Sequence, residues 1–187
     1  LVHQQQDAEE AMTLLLGALS TECVKEGTDP TELLAVRIVD KKICTGCKNT
    51  SLTPAHELRI QVPIKKRNED EPRFNLLDLI DGLRNEETIP FTCCEDGTAQ
   101  SSKQFASFGR YLVIHVLRFE QIKDDKGERV EKIPTAIVVP QLLDLGRFIS
   151  SNDSGSKTRY RLVGAVQHEG ANALLGHYVA VVRDCEA

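Results

Sequence analysis

The sequence predicts an α+β fold, with helices early and antiparallel strands late. Three observations carry that expectation. Ala8, Ala11, Met12, Leu15, Leu16 and Leu19 recur at helical spacing. Tyr111-Leu112-Val113-Ile114-His115-Val116-Leu117 is a nearly continuous run of the kind found in strands buried on both faces. Tyr160, Leu162, Gly164 and Val166 form one face of a later strand, and Tyr178 to Val182 forms another. A chain of 187 residues with 41% hydrophobic content holds enough apolar material for one domain.

Helix one starts at Asp7, which makes a capping box with Glu10 three positions later. Gly27-Thr28-Asp29-Pro30 reads as a turn, and Leu33 to Ile43 as a strand leading into the pair Cys44-x-x-Cys47. Leu58, Ile60, Val62 and Ile64 alternate with polar neighbours, giving a β-rich lobe around the cysteines. Lys65 to Arg73 is a charged, proline-containing loop, after which Asn75 caps a short helix built on Leu76, Leu77, Leu79, Ile80 and Leu83. Asp124 to Glu128 is a polar turn containing Gly127, Ile133 to Pro140 is extended, and Ser151 to Lys157 is a loop of small polar residues.

Twenty-three basic against 28 acidic residues leave a formal net charge of −5, which repels a phosphate backbone or an anionic membrane. Neither nucleic acid nor membrane is therefore expected as a partner. No segment approaches the roughly 20 apolar residues of a membrane span, and Leu1-Val2-His3-Gln4-Gln5-Gln6-Asp7 has no basic region leading into an apolar one. Six cysteines without a signal peptide, two of them in Cys44-x-x-Cys47, read as reduced thiols with a metal site as candidate use. The expected location is cytoplasmic or nuclear. A chain that opens directly on a helix signature, without a methionine, reads as a fragment.

Four segments, in this order, resemble the ubiquitin-specific proteases across nearly the whole chain. Gln5-Gln6-Asp7-Ala8-Glu9-Glu10 is similar to the family's glutamine-aspartate box, and Cys44-Thr45-Gly46-Cys47 to the first zinc knuckle of its fingers. The segment from Tyr111 to Arg118-Phe119 resembles the long palm strand that ends in Arg-Phe. Tyr160-Arg161-Leu162-Val163-Gly164-Ala165-Val166-Gln167-His168-Glu169-Gly170, followed by Gly176-His177-Tyr178-Val179-Ala180, resembles the histidine box.

The resemblance implies a papain-like cysteine protease fold, with fingers over roughly 33–110 and palm over roughly 111–187. It also implies hydrolysis of the isopeptide bond after the last glycine of ubiquitin. In such chemistry a thiolate attacks, and an imidazole lowers the thiol's pKa and protonates the leaving amine. By position His177 is that base, while Gly176 lets a substrate backbone approach and Tyr178 walls the tail channel. The resemblance also implies that Gln6 and Asp7 contact the basic tail of ubiquitin, and that His168 shapes a loop beside the channel. His115, inside an apolar run, reads as a core histidine.

Three departures from the family pattern follow. No Gly-Asn-Thr-Cys box precedes Asp7, so the nucleophile and the oxyanion-supporting side chain are expected on a thumb outside this sequence, and the chain alone is expected to be inactive. Asp184 lies only seven positions past His177 and is too near to orient it. The second knuckle is irregular, offering adjacent Cys93 and Cys94 and then Glu95-Asp96-Gly97, so either the knuckle is degenerate or Asp96 replaces a cysteine. Adjacent residues rarely turn two side chains to one ion, so a degenerate zinc site is expected at Cys44, Cys47, Cys93 and Cys94, and no cofactor is required for the chemistry. The expected partners are ubiquitin or ubiquitinated proteins and the cysteine-bearing thumb. An inactive ubiquitin-binding scaffold of the same fold is the alternative, and a zinc-ribbon interaction module a more distant one.

Overall fold

The computed structural model describes residues 7–25, 27–66, 73–94, 97–124, 127–149, 157–170 and 176–184. Helix α1 (Ala8–Val24) begins where expected, with the Asp7 carboxylate accepting the Glu9 amide at 2.7 Å. The return bond from Glu10 that a capping box needs is not formed. Asp29 then caps a one-turn 3-10 helix (Pro30–Leu33), so the first strand, β1 (Val36–Cys44), starts three residues later than the sequence suggested.

β1 is central to a four-stranded sheet. It pairs on one side with β2 (Thr50–Glu57) and on the other with a long strand arriving late in the chain. Before that strand come β3 (Ile60–Pro63), β4 (Phe74–Asn75), the Asn75-capped helix α2 (Leu76–Gly82) and β5 (Glu87–Pro90). β6 (Thr98–Phe108) then lies between β1 and β5, giving the order β2-β1-β6-β5. Neither β2 nor β6 was legible in the sequence. β2 carries Pro54 and little apolar material, which an edge strand tolerates because one side of its backbone needs no partner.

The run at 111–117 is strand only as β7 (Ile114–Leu117), lying parallel to β3, and its four residues are half-buried. Tyr111 is exposed. The expected two-sided burial is not seen: with β3 as its one partner strand among the described residues, β7 keeps partial exposure. β8 (Phe119–Asp124) and β9 (Gly127–Lys132) form an antiparallel hairpin. The extended stretch that follows contains β10 (Ile137–Val138), parallel to β4, and then β11 (Leu142–Asp144).

The strand expected from Tyr160 to Val166 is two strands. β12 (Arg159–Arg161) pairs with β11, whereas β13 (Gly164–Glu169) pairs with β14 (His177–Val182). The alternation runs unbroken through both, which is why sequence periodicity could not separate them.

One core forms where the base of the four-stranded sheet meets α2 and the β3/β7 pair. Val36, Ile38, Phe105 and Phe108 come from the sheet, Leu76 and Ile80 from α2, Ile60 and Val62 from β3, and Leu143, Leu145 and Phe148 from the later segment. At about 25 cal/mol per Å² of apolar area removed from water, this layer is the main stabilising contribution. Away from it, α1 buries no residue, and Leu14 and Leu15 are 68% and 61% exposed. The β13/β14 hairpin likewise exposes Val166, Val181 and Val182. Among the described residues, no helix is long and apolar enough to cross a membrane.

Candidate functional site

The sequence-predicted residues of the histidine box and of the helix start meet in space. β13 and β14 run antiparallel with Glu169 opposite His177 and His168 opposite Tyr178. Opposed residues share a face, so His168 and Tyr178 stand on one side of the hairpin and His177 on the other. His177 is exposed, and among the described residues its imidazole has no hydrogen-bond partner. Asp184 follows the end of β14, a strand that at about 3.3 Å per residue has already carried the chain roughly 16 Å from His177 by Val182.

Gly176 precedes His177 with φ +152°, a backbone conformation that L side chains rarely adopt. A Cβ there would stand 2.1 Å from the Glu169 carbonyl oxygen and 2.7 Å from His168 Nε2. Only glycine lets the strand re-start so close to β13.

His168 is half-buried between two rings, edge-on to Phe119 at 5.7 Å and tilted against Tyr178 at 5.1 Å between centroids. Tyr178 in turn donates its hydroxyl to Asp7 Oδ2 at 3.1 Å. Burial, and secondarily the negative charge of Asp7, push the Tyr178 phenol above its ordinary pKa. Asp7 is thus both helix cap and tyrosine acceptor. Gln6 lies outside the described residues.

Two residues missed in the sequence hold this arrangement. Arg59, between β2 and β3, pairs with Glu9 of α1 at 2.8 Å and donates to Thr13 Oγ1 at 3.3 Å, tying the helix to the sheet base. Lys132, at the end of β9, donates to the carbonyls of His168 and Gly170 at 2.8 Å each. Neither had a sequence signal, because a lone basic residue at a strand end reads as solvated surface. His115 is half-buried, and its Nδ1 is a buried polar atom without a partner, as a histidine packed into the core rather than a ligand can be.

The four candidate metal cysteines gather at the far tip of the four-stranded sheet. Cys44 ends β1 and is fully buried, Cys47 closes the following turn, and Cys93 and Cys94 sit between β5 and β6. Cys44 and Cys94 sulfurs are 3.4 Å apart, and those of Cys47 and Cys93 are 3.5 Å apart. Those of Cys44, Cys47 and Cys93 all lie within 4.8 Å of one another. A tetrahedral zinc with Zn–S bonds of about 2.3 Å would set its sulfurs roughly 3.8 Å apart, so the Cys44, Cys47 and Cys93 trio could hold such an ion, while the Cys94 sulfur, 3.4 Å from that of Cys44, stands outside the trio.

The adjacent Cys93 and Cys94 turn to different partners, Cys47 and Cys44, and of the two it is Cys93 that joins the trio able to hold an ion. The Cys47 amide, then the Cys94 thiol, lower the Cys44 pKa to about 7. For Cys47 the Asn49 amide lowers the pKa, but the Cys44 and Cys93 thiols outweigh it and the net shift is upward. Glu95 and Asp96 lie outside the described residues.

Comparison with known proteins places the chain in a family. Residues 2–187 match the family model described as ubiquitin carboxyl-terminal hydrolase. Over 98% of the chain, the sequence is 28% identical to ubiquitin carboxyl-terminal hydrolase 21 of Arabidopsis thaliana, covering 26% of that protein. Over 75% of the chain it is 31% identical to ubiquitin carboxyl-terminal hydrolase Usp2 of Drosophila melanogaster, covering 15% of it. The chain thus spans about a quarter or less of these relatives. Among solved structures, a chain of the SAGA Ubp8/Sgf11/Sus1/Sgf73 DUB module bound to ubiquitin aldehyde superposes with a TM-score of 0.79 at 20% identity, over 98% of this chain and 43% of that one.

Proposed function

Because the chain belongs to the ubiquitin carboxyl-terminal hydrolase family, we propose that it is the fingers-and-palm portion of a ubiquitin-specific cysteine protease. It binds ubiquitin and, once a cysteine-bearing thumb completes it, hydrolyses the isopeptide bond after the C-terminal glycine. The observation that carries this reading is the meeting of Asp7 with Tyr178, His168 and Gly176 from the two ends of the chain, with the exposed His177 on the other face of the same hairpin. A structural helix cap alone would not need a tyrosine from 171 positions away.

In this reading His177 is the general base, free on the exposed face of the hairpin to take a thiol proton and return it to the leaving amine. Gly176 leaves room for a substrate backbone. Tyr178, His168 and Asp7 line the path of the ubiquitin tail, with Asp7 supplying the negative charge that a basic tail seeks, and a role for Gln6 rests on the family resemblance alone. Residues 33–110 form the fingers and 111–187 the palm. The uncovered apolar faces of α1 and the β13/β14 hairpin support a thumb packed against them, since an isolated two-stranded hairpin is marginal in water.

Cys44, Cys47, Cys93 and Cys94 would hold a structural zinc that cross-links the two fingertip turns and takes no part in the hydrolysis.

The test is cleavage of a fluorogenic ubiquitin substrate. The 187-residue chain alone is expected to be inactive, and supplying the thumb by fusion is expected to give cysteine-dependent cleavage that His177→Ala abolishes while melting like the parent. Removing a general base costs about 10²–10⁴-fold. A folded His177→Ala enzyme with full activity would sink the assignment of the base. Tail-dependent ubiquitin binding without cleavage in the completed protein would favour the inactive scaffold.

A further inference from the structure

We propose that Lys132 is a positioning residue for His177, acting through the three acceptors it meets at the end of β13. Its Nζ lies 2.8 Å from the His168 carbonyl oxygen, 2.8 Å from the Gly170 carbonyl oxygen and 3.3 Å from His168 Nδ1. A lysine ammonium has three N–H donors and accepts nothing, so three acceptors use its whole capacity. Two of them are backbone oxygens that bracket Glu169, the residue paired with His177 across the hairpin. The ammonium therefore fixes the backbone on both sides of the one position that sets where β14 begins.

The third contact settles the state of a ring. Because an ammonium can only donate, His168 Nδ1 accepts and carries no hydrogen, which leaves the neutral imidazole protonated on Nε2. That Nε2 is the atom lying 2.7 Å from where a side chain at Gly176 would begin. Lys132 thus holds both ends of the junction: the β13 backbone through the His168 and Gly170 carbonyls, and the approach to Gly176 through the orientation of the His168 ring. Phe119 and Tyr178 pack against that ring and keep it from rotating away.

The role of Lys132 in catalysis rests on His177 being the base, but the tautomer does not, so the two fail separately. With 15N-labelled histidine in the 187-residue chain, long-range proton–nitrogen spectra are expected to show His168 as a single neutral tautomer protonated on Nε2. Finding the hydrogen on Nδ1 in the unaltered protein overturns the proposal without any substitution. Lys132→Met is expected to convert that signal into a mixture of tautomers.

In the thumb-completed enzyme, Lys132→Met is expected to lower kcat by about 10–100-fold, the scale of a catalytic group misplaced by an ångström, with KM within about twofold. Lys132→Gln, which keeps two N–H donors, should recover part of the loss and serves if the methionine variant folds poorly. A folded Lys132→Met enzyme with unchanged kcat overturns the positioning role. Full activity in His177→Ala would instead remove the base assignment while leaving the His168 tautomer where it is.

Discussion

The Asp7 carboxylate accepts the Glu9 amide on one oxygen at 2.7 Å and the Tyr178 hydroxyl on the other at 3.1 Å, joining residues 171 positions apart. A double-mutant cycle separates the two bonds. Asp7→Ala is expected to cost about 0.5–2 kcal/mol through the lost cap alone. Tyr178→Phe removes one hydrogen bond, worth about 0.5–1.5 kcal/mol. If the contact exists in solution, the double variant is less destabilised than the two single effects added together. Strict additivity in denaturant titrations would show that Asp7 and Tyr178 do not interact.

The same contact has a pH signature. Tyr178 has a folded-state pKa above the ordinary value of 10.0, first from burial and then from Asp7. A raised pKa favours the protonated form in the folded state, so the contribution is whole below about pH 10 and is lost as pH rises through the higher folded value. The ultraviolet difference between the parent and Tyr178→Phe isolates this phenol from the other two tyrosines. Its midpoint should lie above 10, and Asp7→Asn should lower it only in part, because the burial remains. An unshifted midpoint would place Tyr178 in solvent.

Gly176→Ala should disturb the site more than its size suggests. The new methyl would meet the Glu169 carbonyl oxygen at 2.1 Å, and φ +152° is strained for any L residue. Strain of that kind costs about 1–3 kcal/mol. The amide resonances of Glu169 and His177 are expected to shift while those of the fingertip stay fixed. A variant as stable as the parent, with those signals unmoved, would rule out the close approach.

Elemental analysis should find one zinc per chain, with Cys47→Ser or Cys93→Ser releasing it. Because the ligands bind as thiolates, loading the metal-free protein near neutral pH should release protons. Folded protein purified without chelator and carrying well under one ion per chain would contradict the fingertip assignment.

The sequence made the start of α1, the Asn75 cap of α2 and the β13/β14 segment legible, because capping and alternation are local signals. It did not reveal β6, whose Thr98-Ala99-Gln100-Ser101-Ser102 start is polar and becomes strand only because β1 lies beside it. The meeting of Asp7 with Tyr178 was invisible for the same reason: spacing says nothing about residues 171 positions apart. Resemblance to a known family suggested roles for them, and the fold brings them into contact. For the cysteines, spacing argued that adjacent Cys93 and Cys94 would not serve one ion, and the turn between β5 and β6 does aim them at different partners, although Cys93 joins Cys44 and Cys47 in one trio.

The pairing of β1 with β6 bears on how fast this chain can fold. Val36 lies opposite Phe108, 72 positions later (108 − 36), and Cys44 opposite Ala99, 55 later (99 − 44). The neighbouring β1/β2 hairpin closes over a short turn and can form in about 1–10 μs. The central pair must first bring together segments separated by β3, α2 and β5, and that closure entropy precedes any contact that offsets it. Folding should therefore wait on the β1/β6 encounter. An ion caught early by Cys44 and Cys47 and then by Cys93 and Cys94 would tether the far end of that pair, so refolding with zinc present should outpace refolding with a chelator, while the β1/β2 hairpin forms at the same rate in both.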